Sequence, residues 1–312
     1  MLTFRFLNVG KGSSTIIDFP SGRVGLVDVD DSRSIAEEQL AAVAEMMGVK
    51  PRYFSYKSLG YMLEARQLVE KAYDIPLTDP IQYLTELGVE SIFRFILTHP
   101  DMDHMSGLDR LSRKFDLLNF WDTDNNKAIG TELWDKSPYR KEDWDRYQQL
   151  RKNEERPKAL RIHRDGTADC CWVQDGIQIL SPNTELVTHA NDTQDYHHLS
   201  YVLKVTYANR SVILGGDASK KVWGDILEHY GEDGIKADVL LASHHGSVHN
   251  FHKEAIEAMN PDYIIVSVAV GTGYAYDEYS RIGKVLSTKW YGNIVMTINR
   301  SGYIEHSTQF DR

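Results

Sequence analysis

The sequence predicts a layered α/β protein. Three observations predict it: short apolar runs of strand length, segments of helical spacing between several of them, and an N-terminus that alternates apolar and polar residues with a period of two.

Residues 2–9 alternate, break at Gly10, Lys11, Gly12, Ser13 and Ser14, and resume over 15–19, the pattern of a β-hairpin. A strand over 24–30 follows the Pro20-Ser21-Gly22 turn and ends among carboxylates. Ile35, Leu40, Val43, Ala44 and Met47 share a helical face after a Ser34 cap, and 51–77 continue as an aromatic-rich, mostly helical insertion. A helix over 80–87, stopped by Gly88, precedes a strand over 91–98. Residues 115–165 carry Trp121, Trp134 and Trp144 among many charges and read as a strand, then a polar loop and helix outside the core. Residues 171–173 and 177–180 suggest a hairpin turning at Asp175-Gly176. Strands over 199–207 and 211–214 run into Gly215-Gly216-Asp217, and a helix over 220–229 leads to a strand over 238–243. The pattern then repeats: helix 253–259, strand 263–268, helix 279–289, strand 294–298.

The length of 312 residues suits one enlarged domain, 1–312, with insertions at about 33–78 and 120–165. No apolar run reaches the roughly 20 residues that cross a bilayer, and the start is too short in apolar residues for a secretion signal, so a cytoplasmic protein without a membrane partner is expected. Cys170 and Cys171 are adjacent, which argues against a disulfide framework and for free thiols. With 35 Lys and Arg against 45 Asp and Glu, the net charge of −10 disfavours charge-driven binding of polyanions. It leaves room for an enzyme whose bound cations offset carboxylates.

The chemistry concentrates at three strand ends. His99, Asp101, Asp103 and His104 fall within six residues after the strand over 91–98. Imidazole and carboxylate are ligands that zinc, manganese and iron accept, and one short loop can direct such side chains at two nearby ions. Asp217 follows an apolar run and two glycines, and His244 and His245 follow another apolar run.

These motifs, in this order, resemble the metallo-β-lactamase superfamily, and within it the branch found in ComEC-type competence proteins of DNA uptake. That branch's Thr-His-x-Asp-x-Asp-His is matched without a gap from Thr98 to His104, its Thr-Gly-Asp by Gly215-Gly216-Asp217, and its His-His-Gly-Ser by His244-His245-Gly246-Ser247. Its opening Val-Gly-Gln-Gly-Asp stands here as Val9-Gly10-Lys11-Gly12-Ser13, and its Ile-Asp-Thr-Gly as Val27-Asp28-Val29-Asp30. Lys11, Ser13 and Asp30 depart from the pattern, and Tyr274-Ala275-Tyr276-Asp277 replaces a late Tyr-Gly-His-Pro.

The resemblance implies a four-layer αββα sandwich and two divalent metal ions, zinc first, with manganese or iron also compatible. It implies that His99 and Asp101 bind one ion and Asp103 and His104 the other, with Asp217 bridging and His244 completing the second. The first ion's remaining ligand is implied within 196–200, where His197 stands ahead of His198. His245 would contact a phosphate or donate a proton. Asp103 or Asp101 would orient the attacking water, and Asp28 would hydrogen-bond a ligand histidine. The expected function is hydrolysis of phosphodiesters, first as a nuclease on DNA or RNA, next on a small phosphoester or cyclic or oligo-nucleotide; a non-catalytic metal-binding scaffold or sensor is the third reading. The basic segment 151–164 reads either as a solvated helix face or as a nucleic-acid track, and the sequence names no protein partner while leaving self-association open.

Overall fold

Apolar residues two apart along successive strands leave each strand with one face to bury, and in the computed structural model two sheets meet that need. It describes residues 1–31, 75–166, 173–268 and 274–311. The first sheet contains β1 (Leu2–Phe6), β2 (Thr15–Asp18), β3 (Val24–Val27), β4 (Ser91–Ile96), β5 (Asp116–Asp122) and β6 (Lys158–Arg161), in that spatial order. The second runs β12-β11-β10-β9-β8-β7 from β7 (Ile177–Ser181), β8 (Val202–Tyr207), β9 (Arg210–Leu214), β10 (Val239–Leu241), β11 (Tyr263–Val266) and β12 (Lys284–Ser287). The chain then returns to the first sheet, where β13 (Ile294–Ile298) pairs antiparallel with β1 and carries β14 (Ile304–Thr308) on its other side.

Leu2, Phe4 and Phe6 of β1 point between the sheets with Val27, Ile96 and Trp121, and meet Leu203, Val205, Val212, Leu214 and Leu241 from the other side. Ile16, Leu26, Phe95 and Phe120 face the opposite way, against α1 (Pro80–Glu86), α2 (Leu108–Lys114) and α3 (Lys141–Leu150). After α4 (Thr184–Thr193), helices α5 (Lys220–Gly234) and α6 (Lys253–Met259) cover Val202, Ile213, Leu240 and Ile264 on the outer face of the second sheet. The layers are therefore helix, sheet, sheet, helix, the expected αββα sandwich.

This layering brings one edge of both sheets together. β3, β4 and β5 run parallel, as do β9, β10 and β11, so the loops after their carboxyl ends collect there. Backbone bonds cross between them: Tyr201 N donates to Thr98 O at 2.9 Å, Val29 N to His104 O at 2.9 Å, and His244 N to Gly216 O at 2.9 Å. The glycines of the Gly-Gly-Asp turn are required by this closeness. Gly216 has φ of 49°, and a β-carbon there would collide with Ser200 Oγ and lie 2.7 Å from Tyr201 O.

Several expectations are corrected. The helix expected over 279–289 is a short α7 (Tyr276–Ser280), the edge strand β12 and a short α8 (Thr288–Tyr291). Lys284–Ser287 pairs parallel with β11 and buries Leu286, which the helical reading missed. Val173–Asp175 forms a 3-10 turn, so among the described residues no hairpin turns at Asp175-Gly176. Trp121 and Trp144 belong to the core, at 1% and 6% exposure, because Trp144, Tyr147 and Leu150 of α3 form one apolar stripe against the first sheet. The edge strands β6 and β14 were not expected. The helix over 34–47, most of the insertion over 51–77, and Cys170, Cys171 and Trp172 lie outside the described residues. No described helix is long and apolar enough to cross a membrane.

Candidate metal centre

His99 lies three residues past the end of β4, and Asp101, in extended backbone, precedes a 3-10 turn, Met102–His104. A turn of three residues per revolution rotates successive side chains by about 120°, which separates Asp103 from His104. His99 and His104 are buried at 1% and 0% exposure, with ring centroids 4.2 Å apart. Asp217 arrives from the loop after β9 and faces both sides of the cluster. Its Oδ1 lies 3.3 Å from His104 Nε2, and its Oδ2 lies 3.7 Å from His99 Nε2, 3.8 Å from His244 Nε2 and 4.0 Å from His245 Nε2. Asp101 Oδ2 lies 3.5 Å from His99 Nε2 and 3.6 Å from His197 Nε2.

Potential ligand atoms lie within 4.8 Å of one another in four overlapping groups: His99 with Asp101 and His197, His99 with His104 and Asp217, Asp103 with His104 and His245, and His197 with Asp217 and His244. The histidines are oriented for this. His104 Nδ1 is 2.7 Å from Asp28 Oδ2, His197 Nδ1 is 3.0 Å from Asp195 Oδ1, and His245 Nδ1 donates to Ser267 O at 3.1 Å. His99 Nδ1 lies 3.2 Å from Thr98 Oγ1, whose own proton goes to Asp28 Oδ2, so the ring donates. With Nδ1 so occupied, Nε2 of each ring is the free lone pair turned into the cluster.

Nε2 of His99, His104 and His245 is buried and without a hydrogen-bond partner. An orphaned buried nitrogen is costly, about 1–3 kcal/mol each, unless something else takes the lone pair. Three of them converging on carboxylates fit a pair of divalent cations.

Electrostatics accord with this chemistry. Burial alone would raise the carboxyls of Asp101 and Asp217, but His99 and Lys127 beside the first, and His104, His245 and His99 beside the second, hold both well below the ordinary range. Burial opposes a charge on His104, yet Asp217 and Asp28 overcome it and raise its pKa well above the usual value. A cation on Nε2 would take the place of that proton, favoured by the same two carboxylates. Burial, against the pull of Asp217 and with the help of His245, His197 and His99, drops His244 to about 4.

The geometry alters two expectations. His245, not His244, groups with Asp103 and His104; both residues have left-handed backbone, with φ of 55° and 50°, so their side chains diverge and His244 falls beside His197 at 4.8 Å between rings. His198 stands outside the cluster, because the 3-10 turn Tyr196–Leu199 points it at Ser219 Oγ, 3.0 Å from Nδ1, and stacks it on His189 at 4.9 Å. Asp28 is 1% exposed and bonded to Thr98 N and Oγ1 and to the candidate ligand His104.

The sequence reading missed Lys127, which ion-pairs with Asp101 Oδ1, and Asp195, which holds His197. Asp195 was discoverable from its place two residues before His197. Lys127 gives no such signal, since it stands alone in a polar loop. The basic segment is largely occupied: Arg151 lies 3.1 Å from Asp122, Arg156 pairs with Asp116, and Arg164 lies 2.5 Å from Asp225. Arg156 and Arg161 nonetheless stay exposed, at 62% and 42% of their side chains.

No family profile matches the chain. Over 195 residues, 62% of the chain, it is 26% identical to ComE operon protein 3 of Bacillus subtilis (strain 168), and the match spans 22% of that protein's length. Among solved structures it superposes on the CmlA beta-hydroxylase E377D mutant with a TM-score of 0.48 at 11% identity, covering 94% of this chain and 53% of that one. It superposes on the metallo-beta-lactamase fold protein YhfI from Bacillus subtilis at 0.46 and 10% identity, covering 97% and 99%. A long form RNase Z from yeast gives 0.42 at 11% identity, covering 94% and 41%.

Proposed function

We propose that the chain is a two-cation hydrolase of phosphodiester bonds, acting first as a nuclease. The observation that carries the reading is the convergence of Nε2 from four histidines, each held at Nδ1, on the carboxylates Asp101, Asp103 and Asp217. His99, Asp101 and His197 would hold one cation and Asp103, His104 and His245 the other, with Asp217 between them. Zinc, manganese and iron all suit this donor set, which lacks thiolate. Such cations supply Lewis acidity and a water acidified to near neutral pH.

The protein's own part is orientation. Asp28, Asp195, Thr98 and the Ser267 carbonyl fix ring tautomers, so the lone pairs arrive preset. His244, with a side chain 34% exposed and Nε2 3.8 Å from Asp217 Oδ2, would hydrogen-bond a substrate oxygen at the edge of the cluster. That role passes to it from His245. The phosphodiester assignment is further supported by the Asp-rich Thr98 to His104 motif and by the resemblance to ComEC-type proteins.

Elemental analysis followed by a panel of single- and double-stranded DNA, RNA, cyclic dinucleotides and a small aryl phosphodiester, each with zinc and with manganese, tests the proposal. Cleavage of polynucleotides supports the nuclease. Cleavage of small diesters alone replaces it with a small-phosphoester hydrolase, and a fully loaded protein inert on all of them is a scaffold or sensor.

A further inference from the structure

Two lysines flank the centre, one on each loop carboxylate. Lys127 Nζ pairs with Asp101 Oδ1, while the other oxygen of Asp101, Oδ2, is the one turned to His99 and His197. The ion pair and a cation on Oδ2 are therefore compatible. Lys11 Nζ lies 3.2 Å from Asp103 Oδ2 and donates to Tyr139 Oη at 3.3 Å. Each ammonium also rests over a tyrosine ring, Lys127 over Tyr196 at 5.3 Å and Lys11 over Tyr139 at 6.0 Å from the centroid. Both side chains retain access to solvent, at 21% and 31% exposure.

The insertion after β5 builds this arrangement. Asn125 Nδ2 donates to Tyr147 Oη of α3 at 2.8 Å, and Arg151 Nη2 donates to Asn125 O at 2.9 Å. Asn126 N donates to Asn191 Oδ1 of α4 at 2.9 Å, and Tyr196 Oη donates to Asn126 Oδ1 at 2.9 Å. Lys127 thus follows two anchored residues, Asn125 tied to α3 and Asn126 tied to α4, and Tyr139 comes from the same insertion. An ammonium has three donors and each lysine spends only part of them here.

Lys11 and Lys127 are positive groups beside the centre of a chain whose net charge is −10. We infer that Lys11 and Lys127 form a bracket for the phosphates on either side of the one being cleaved, so the preferred substrate is an oligonucleotide strand with consecutive charged linkages. The inference rests on the two-cation reading of the centre and deepens it.

The test is binding, measured separately from turnover. Two fluorescent thymidine tetranucleotides serve as probes, one with phosphorothioate at every linkage and one with uncharged methylphosphonate at the outer two. They are titrated into full-length protein loaded with manganese, whose metal content is measured, across a salt series. The parent should prefer the fully charged probe. Lys11→Met and Lys127→Met should each weaken that probe about 5- to 10-fold and reduce its logarithmic salt slope by about 0.7, with both cations retained. The double variant should lose the preference between probes, and Lys127→Arg should restore most of the affinity lost in Lys127→Met.

Equal binding of the charged probe by the parent and the loaded double variant overturns the inference. So does loss of the cations from the Met variants, because the lysines would then only prop their carboxylates. Lysine-dependent binding in a protein that cleaves no phosphodiester refutes the hydrolase while leaving the bracket standing. Cleavage with lysine-independent binding does the reverse.

Discussion

Asp28 Oδ2 and His104 Nδ1 are 2.7 Å apart and both side chains are almost wholly buried. Asp28 adopts left-handed backbone, with φ of 58°, and also accepts from Thr98 N and Oγ1. One carboxylate thereby fixes the end of β4 and the tautomer of a candidate ligand. Asp28→Asn keeps a side chain that tolerates left-handed backbone and can still accept from Thr98, but removes the charge behind His104. We expect a folded protein whose affinity for the more weakly held cation falls about 10- to 100-fold, read by competition with a chromophoric chelator.

Gly216→Ala should be severe and Gly22→Ala mild. Both positions have positive φ, 49° and 83°, but the added β-carbon at Gly216 strikes Ser200 and Tyr201, whereas nothing lies within 4 Å of it at Gly22. Left-handed backbone alone costs about 1–2 kcal/mol, so that is the expectation for Gly22→Ala. Collision with backbone should bring Gly216→Ala to about 3 kcal/mol or more in urea denaturation.

Stability should carry a pH signature from Asp122, which is not among the candidate ligands. Burial pushes this carboxyl from 3.8 up to about 6, with Arg151, Tyr147 and Arg161 only partly opposing it. A raised folded-state pKa favours the protonated form on folding. Below about pH 4 the group is neutral in both states; between 4 and 6 only the unfolded chain ionises readily, so stability is lost as pH rises through that window. Two units correspond to about 3 kcal/mol. Asp122→Asn lacks this loss, so the stability of the variant relative to the parent should rise between pH 4 and 7, as read by denaturation at matched pH values.

Arg156→Ala should leave oligonucleotide affinity and its salt slope as in the parent. Arg156 is paired with Asp116 at an exposed position, and such pairs are worth about 0–1 kcal/mol. A reduced slope in this variant would favour the basic segment as a nucleic-acid track.

The residue types of the centre were legible because ligands crowd the ends of apolar strands, and the αββα layering followed from the family resemblance that those motifs carry. What sequence could not convey was the direction of side chains set by unusual backbone. Consecutive left-handed residues turn His244 toward His197 and His245 toward Asp103 and His104, and a 3-10 turn sends His197 inward and His198 away. The stripe of Trp144, Tyr147 and Leu150 was present at helical spacing but masked by the charges around it. β12 and β14 are edge strands whose mixed composition resembles a helix or a tail, and only their pairing partners reveal them. Lys127 belongs to neither motif nor pattern; the fastening of its loop to α3 and α4 brings it to Asp101.

The central claim is that Asp217, facing both halves of the histidine cluster, helps hold two cations that cleave phosphodiesters. Cation stoichiometry and phosphodiester turnover measured together in the parent and in Asp217→Asn test it most directly. The account predicts two equivalents and turnover in the parent, and in the variant a loss of at least one equivalent with turnover reduced by about 100-fold or more. A parent that binds two equivalents and cleaves no phosphodiester, or a variant that keeps both cations and full turnover, would contradict it.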